Sequence, residues 1–198
     1  MVSEHAKIIA HCIKDVFGQR PKIYHNFDEN EQTRIDIAKG EGIPFPNLVS
    51  YSTIGLSEHT NWKGDEDSGV QVEFLAVGEL KNENILMNLV ASASFFVIKD
   101  RWFACPDMIF PNIFDLVDIE TDMQHVLFVS PMEYEAGFSC FVLDDLTITW
   151  LQLIPISDTE YQFAIENDIN KLKQKLEQEA VVYTNLSRPC VFKAMTSV

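Results

Sequence analysis

The stretch WLQLIPISDTEYQFAIENDINKLKQKL, residues 150–176, constrains the fold more than any other part of the chain. It opens on an apolar run: Ile148, Trp150, Leu151, Leu153 and Ile154 are β-branched, aromatic or leucine, and no charge interrupts them after Asp145. Such a run suits a strand covered on both faces, because a strand with one wet face alternates polar and apolar residues. Pro155 is expected to end the strand, since proline has no N–H for a ladder and holds Ile154 extended. Ser157 and Glu160 then match a capping box. The Ser157 hydroxyl accepts from the Glu160 N–H, and the Glu160 carboxylate reaches back to the Ser157 N–H. Ile156 and Tyr161 occupy the two positions of a hydrophobic staple, and Asp158 favours the positive end of the helix dipole. Asn167 offers a second helix start, after which Ile169, Leu172 and Leu176 share one face.

The remaining elements follow from the same periodicities. Ile8, Ile9, Cys12, Ile13, Val16 and Phe17 recur at helical spacing between a Ser3 cap and a Gly18 stop. Residues 22–24 and 33–38 read as short strands around an acidic turn, and residues 48–54 as a third. Residues 55–69 form a polar loop. Residues 70–80 return to a strand in which Val70, Val72, Phe74 and Ala76 alternate with Gln71, Glu73 and Leu75. Residues 84–99 carry a helical stripe of Ile85, Leu89, Ala93 and Val97, beside Leu86 and Val90. Residues 105–123 look irregular. Residues 125–129, 138–143 and 146–154 read as strands, the last two joined by a turn at Asp144 and Asp145. The sum is an α+β fold: a mixed, largely antiparallel sheet flanked by an N-terminal helix, a central helix and a C-terminal helix pair. No linker or repeat divides it, so residues 1–198 are expected to form a single domain.

Composition narrows the function classes. The net charge of −15 disfavours direct binding to a nucleic-acid backbone, where lysine and arginine supply most of the affinity. It suits a basic protein partner instead. No apolar run reaches the roughly 20 residues that cross a bilayer, so no membrane role is expected. The N-terminus lacks a basic-then-apolar leader, because Glu4, His5 and Lys7 interrupt it, and a cytoplasmic location follows. Cys12, Cys105, Cys140 and Cys190 lie far apart without a CxxC pair. They are expected to be buried, reduced thiols rather than zinc ligands.

The motifs of nucleophilic hydrolases, phosphate loops, dinucleotide folds, zinc proteases and calcium loops are all missing from the sequence. Neither a metal nor a cofactor is expected. His59, beside Glu58 and in one loop with Asp65, Glu66 and Asp67, is the one grouping that an unrecognised acid–base or metal site could use. The polar loops read otherwise as a contact surface. Trp62, flanked by carboxylates, would anchor a cationic partner if its loop exposes it, and folds back onto the sheet if it does not.

Three segments, taken in order, resemble the Suppressor-of-fused family: PFPNLVSYSTIGLSEHT at residues 44–60, VEFLAVGEL at residues 72–80, and LQLIPISDTEYQFAIENDINKLKQKL with a downstream NLSRPCV at residues 185–191. The resemblance implies a non-enzymatic binding module. The animal member binds and restrains a transcription factor and carries a second domain. Bacterial relatives of this length resemble immunity proteins or antitoxins, often paired with a nuclease toxin, and this chain's size fits them better. The expected function is therefore to bind and neutralise a basic protein toxin. Its acidic contacts would come from the loop of Trp62, Asp65, Glu66 and Asp67, from Glu133 and Glu135, or from Asp144 and Asp145. A stand-alone regulatory domain with a non-toxin partner is the alternative.

The capping box makes a local prediction. Ser157→Ala is expected to lower stability by about 0.5–2 kcal/mol, measured by urea denaturation, without changing partner affinity of the folded protein.

Overall fold

The computed structural model describes residues 3–18, 20–117, 119, 121–132, 134, 137–143 and 145–192. Helix α1 (Glu4–Phe17) is capped by the Ser3 hydroxyl, which accepts from the Ala6 N–H at 2.9 Å, and closes on Gly18 at φ 64°. Strands β1 (Lys22–Phe27), β2 (Arg34–Glu41) and β3 (Leu48–Ile54) form an antiparallel meander. A small hairpin of β4 (Trp62–Lys63) and β5 (Glu66–Asp67) precedes β6 (Val70–Glu79) and α2 (Glu83–Asp100). There follow β7 (Ile109–Phe110), β8 (Met123–Val129), β9 (Phe141–Leu143), β10 (Leu146–Ser157), α3 (Asp158–Glu166) and α4 (Ile169–Gln178).

The main sheet runs β1-β2-β3-β6-β10-β8-β7, with β9 paired to the start of β10. β6 and β10 pair in parallel, Val70 opposite Thr147 and Leu75 opposite Gln152, while the other pairs in the sheet are antiparallel. The architecture is thus the expected α+β type. One face carries α2, whose Leu86, Leu89, Val90, Ala93 and Val97 pack on Val72, Phe74, Val126, Phe128, Leu151 and Leu153. The other face is shared. α1 covers Leu75, Val77 and Trp150, while α4 and its neighbours cover Leu127, Ile154 and Ile156. β6 and most of β10 are therefore buried on both sides. The buried indole N–H of Trp150 donates to the Ser52 hydroxyl at 3.0 Å, which satisfies its polar edge.

Several elements differ from the sequence reading. β10 does not stop at Pro155 but runs on to Ser157, with Pro155 opposite Val126 and Ile156 opposite His125. The β6 pairing has already ended at Gln152. The Pro155 carbonyl accepts from Arg188 at 2.8 Å rather than from a strand. Since a residue's N and C=O point to the same edge of a strand, the missing N–H costs no ladder bond, which is where sheets tolerate proline. Asn167 closes α3 instead of opening α4, its N–H and side-chain amide both donating to the Phe163 carbonyl; the Asp168 carboxylate caps α4 through the Asn170 N–H at 2.6 Å. The strand expected over residues 138–143 is confined to Phe141–Leu143, and Phe138 turns into the core beside Trp150. The cysteines are free, but none is fully buried: Cys12, Cys105 and Cys190 are half-buried and Cys140 is exposed.

The capping box is present, and its Glu160 does more than cap. The side chain is fully buried, as is all but 4% of that of Arg188, and the two form a fork-to-fork pair with both N–O distances 2.7 Å. Glu160 also accepts from the N–H groups of Ser157 and Val191, each at 3.0 Å. The carboxylate is left with ample donors and the guanidinium with the Pro155 and Pro189 carbonyls. Burial alone would raise the Glu160 pKa. The Arg188 guanidinium and the two N–H donors outweigh it and hold the carboxyl below its ordinary range.

Breaking this pair is expected to cost about 3–5 kcal/mol, more than the cap alone, because one buried charge is left without its partner. Arg188→Met should show that loss in urea denaturation at pH 7. A carboxylate with a depressed folded pKa stabilises fully above its unfolded value, roughly 4.3, and loses that contribution as pH falls through the folded one. In Arg188→Met the lone carboxylate is relieved by protonation. The gap between variant and wild type should therefore narrow as the medium is acidified.

Candidate partner-binding site

The acidic hairpin β4–β5 stands on a buried asparagine. Asn61 donates its N–H to the Gln71 side-chain carbonyl at 2.8 Å and its amide to the Val70 and Ala104 carbonyls, and accepts from the Ala104 N–H at 3.0 Å. This side chain ties the hairpin to β6 and to the segment that follows α2. Within the hairpin the three acids have different tasks. The Asp67 carboxylate accepts from the Gly69 N–H at 2.9 Å and from the Gln71 amide at 3.0 Å, so it holds the return into β6. Asp65 and Glu66 are exposed at the tip. Trp62 is half-buried, and the Arg101 guanidinium lies 4.5 Å from its ring centroid. One face of the indole is therefore already engaged by a cation of the same chain. No local pattern in the sequence points to Arg101, which adopts a left-handed φ of 57° at the end of α2.

Asp145 sits at φ 69° in the turn between β9 and β10, where Leu143 pairs with Leu146. Its short side chain tolerates this left-handed conformation better than most. Asp144, Glu133 and Glu135 lie outside the described residues.

Of the grouping around His59, Glu58 and His59 line one concavity with Arg34 and Asp36, whereas Asp65, Glu66 and Asp67 are not among its lining residues. The Glu58 carboxylate accepts from the Ser3 hydroxyl at the start of α1. Burial pushes the His59 pKa down against the pull of Glu58, which favours a neutral ring. Among the described residues, no three His, Cys, Asp or Glu side chains come together in a way that would hold a metal ion.

Beneath this region lies a carboxylate that the alternation of β6 did not single out. Glu73 is fully buried. It accepts from the Gly55 N–H at 3.0 Å, the Ser57 N–H at 3.1 Å, the Ser57 hydroxyl at 2.7 Å and the Thr53 hydroxyl. Among the described residues no cation pairs with it, and burial raises its pKa against those four donors. Its donors all come from the end of β3 and the turn that follows, so Glu73 shapes that turn, with Gly55 at φ 89°. Within residues 44–60, the contact holds the stretch from Thr53 to Ser57.

Residues 31–189 match the sequence model of the Suppressor of fused protein, SUFU. The chain belongs to the Suppressor of fused family. The Immunity protein YqcF of Bacillus subtilis (strain 168) is 30% identical over 190 residues, covering 96% of this chain and 98% of that protein. The fold is shared with a SUFU homologue from Neisseria gonorrhoeae, at a TM-score of 0.68 and 15% identity over 96% of this chain and 97% of the other. Drosophila Suppressor of Fused gives a TM-score of 0.65 at 13% identity, with 96% of this chain matching 52% of the longer fly protein.

The hairpin geometry separates structural from exposed acids. Asp67→Ala should cost about 1 kcal/mol and speed amide hydrogen exchange at Gly69, while Asp65→Ala and Glu66→Ala leave both unchanged.

Proposed function

We propose that the chain is an immunity protein, a single-domain module that acts in the cytoplasm. It binds a protein toxin and occludes the toxin's active site or substrate groove. The observation that carries this reading is the 30% identity to the Bacillus subtilis immunity protein across nearly the full length of both chains. The net charge of −15 supports a basic partner, and a nuclease, whose substrate groove must attract phosphate, is the toxin class that fits. In this reading Asp65 and Glu66, exposed on a hairpin rooted in the core, meet such a groove as phosphate mimics. Asp145 adds a further carboxylate at the β9–β10 turn, and Glu133, Glu135 and Asp144 are proposed as further contacts on the strength of the sequence alone. With one indole face engaged by Arg101, Trp62 has its other face and its edge to offer.

The test is co-expression with the product of a neighbouring gene that encodes a large secreted protein. Rescue of growth together with co-purification supports the reading, and toxicity unrelieved by this chain overturns it. The double variant Asp65→Lys, Glu66→Lys should slow association by about tenfold and flatten its salt dependence, as rim charges act chiefly on encounter rates. An unchanged on-rate in stopped-flow measurements removes the hairpin from the interface. Asp67 is left intact in this experiment because of its structural task.

A further inference from the structure

The C-terminal helices leave a cleft on the sheet. α4 packs Leu172 and Leu176 toward Leu127, Ile154 and Ile156. Between α4 and the outer part of β8 a concavity of about 680 Å³ remains, floored by Leu127, Val129, Ile154, Leu176 and Val181. That volume lies within the roughly 300–1,000 Å³ of known ligand pockets. Beside these aliphatic groups the lining carries Asp107, Ser130, Lys173, Glu177 and Tyr183. Met132 also lines the cleft and is 45% exposed, a large apolar side chain left at the solvent edge of the concavity. An exposed apolar group beside an apolar concavity suits an interaction site.

The charges of the rim indicate what enters. Lys173, the single cation among the described lining residues, is offset by Asp107 at 2.7 Å. Glu177, four residues further along α4, shares the face of Lys173 and is exposed. The cleft therefore presents an apolar floor beneath a net negative rim. Pro106 lies both in its wall and in the wall of a smaller concavity beneath the acidic hairpin, with Asn61, Lys63 and Ser68. The smaller concavity opens beside Val72 on the α2 face of the sheet and the cleft beside Leu127 and Ile154 on the α4 face, with Pro106 at the boundary between them. The cleft by itself has the anatomy of a protein interface, in which an apolar pocket holds the anchor side chain and a charged rim sets orientation.

We propose that this cleft is the anchor pocket for a basic protein partner. It takes one bulky apolar side chain, presented between lysines or arginines, with Glu177 meeting the flanking cation. The inference rests on the protein-binding reading above and gives it a site.

Two measurements test it separately from that reading. In the first, Ser130→Trp, which fills the mouth from an exposed position, and Glu177→Lys are compared with the control Ile165→Trp on the outer side of α3. Each variant is first shown to melt as wild type does. The toxin complex of the two cleft variants should dissociate about tenfold faster and protect growth less, and that of the control should not. In the second, the methyl groups of Leu127, Val129, Ile154, Leu176 and Val181 are followed by NMR as acetyl-Lys-Leu-Lys-amide or acetyl-Glu-Leu-Glu-amide is added. Only the basic peptide should shift them, and Ser130→Trp should abolish the shift. A toxin complex that forms in wild type and is equally long-lived in both cleft variants overturns the pocket and leaves the immunity reading standing. A chain that binds no toxin but whose methyls respond to the basic peptide sinks the immunity reading and keeps the pocket. Methyls that ignore the basic peptide, or answer both peptides alike, overturn the pocket regardless of the toxin result.

Discussion

The Glu160–Arg188 pair is the interaction on which the rest of the molecule leans. Three stretches of chain meet at it: the end of β10, the first turn of α3, and the segment after α4 that carries Arg188. Its geometry is what allows two charges to leave water. Both guanidinium arms that face the carboxylate are used, and the remaining lone pairs of Glu160 are met by backbone N–H groups. By fixing Arg188, the pair also sets the segment before it against the sheet. Leu186 enters the core beneath α2, and the Thr184 carbonyl accepts from the Glu79 N–H at 3.1 Å. An ion pair thereby closes the apolar layers on both sides of the sheet.

The other acids divide along similar lines. Glu73 and Asp67 are committed to holding turns, through donors that are mostly backbone N–H groups and hydroxyls. Asp65, Glu66 and Glu177 are exposed and serve no contact of that kind. A high negative charge therefore does not translate directly into a binding surface.

Much of this was legible in the sequence wherever the signal was local. The Ser3 and Gly18 boundaries of α1, the capping box at Ser157, the stripe of α2 and the doubly buried character of β10 all depend on residues within a turn or two of each other. What stayed hidden was long-range. The parallel pairing of β6 with β10 joins segments more than seventy residues apart, and no periodicity encodes it. Arg188 as the partner of Glu160, and Arg101 on Trp62, are meetings that only the tertiary fold arranges. The continuation of β10 through Pro155 escaped for a related reason. Proline forbids a ladder bond only on the edge where one is demanded, and which edge is free depends on where the pairing with β6 stops. For the candidate site, the hairpin acids could be named from sequence, but the cleft between α4 and β8 could not. Its floor residues read simply as core.

The strand order has a consequence for how the protein is made. β6 sits in the middle of the sheet, yet its parallel neighbour β10 is translated much later. At the usual rates of about 5–20 residues per second, roughly 4–16 s separate the last residue of β6 from the last residue of β10. Throughout that interval the edge of β6 that β10 will pair has no strand beside it. Pairings this distant in sequence are slow to close and prone to aggregation. The sheet is thus completed only once β10, written late in the chain, has been inserted between strands made before it.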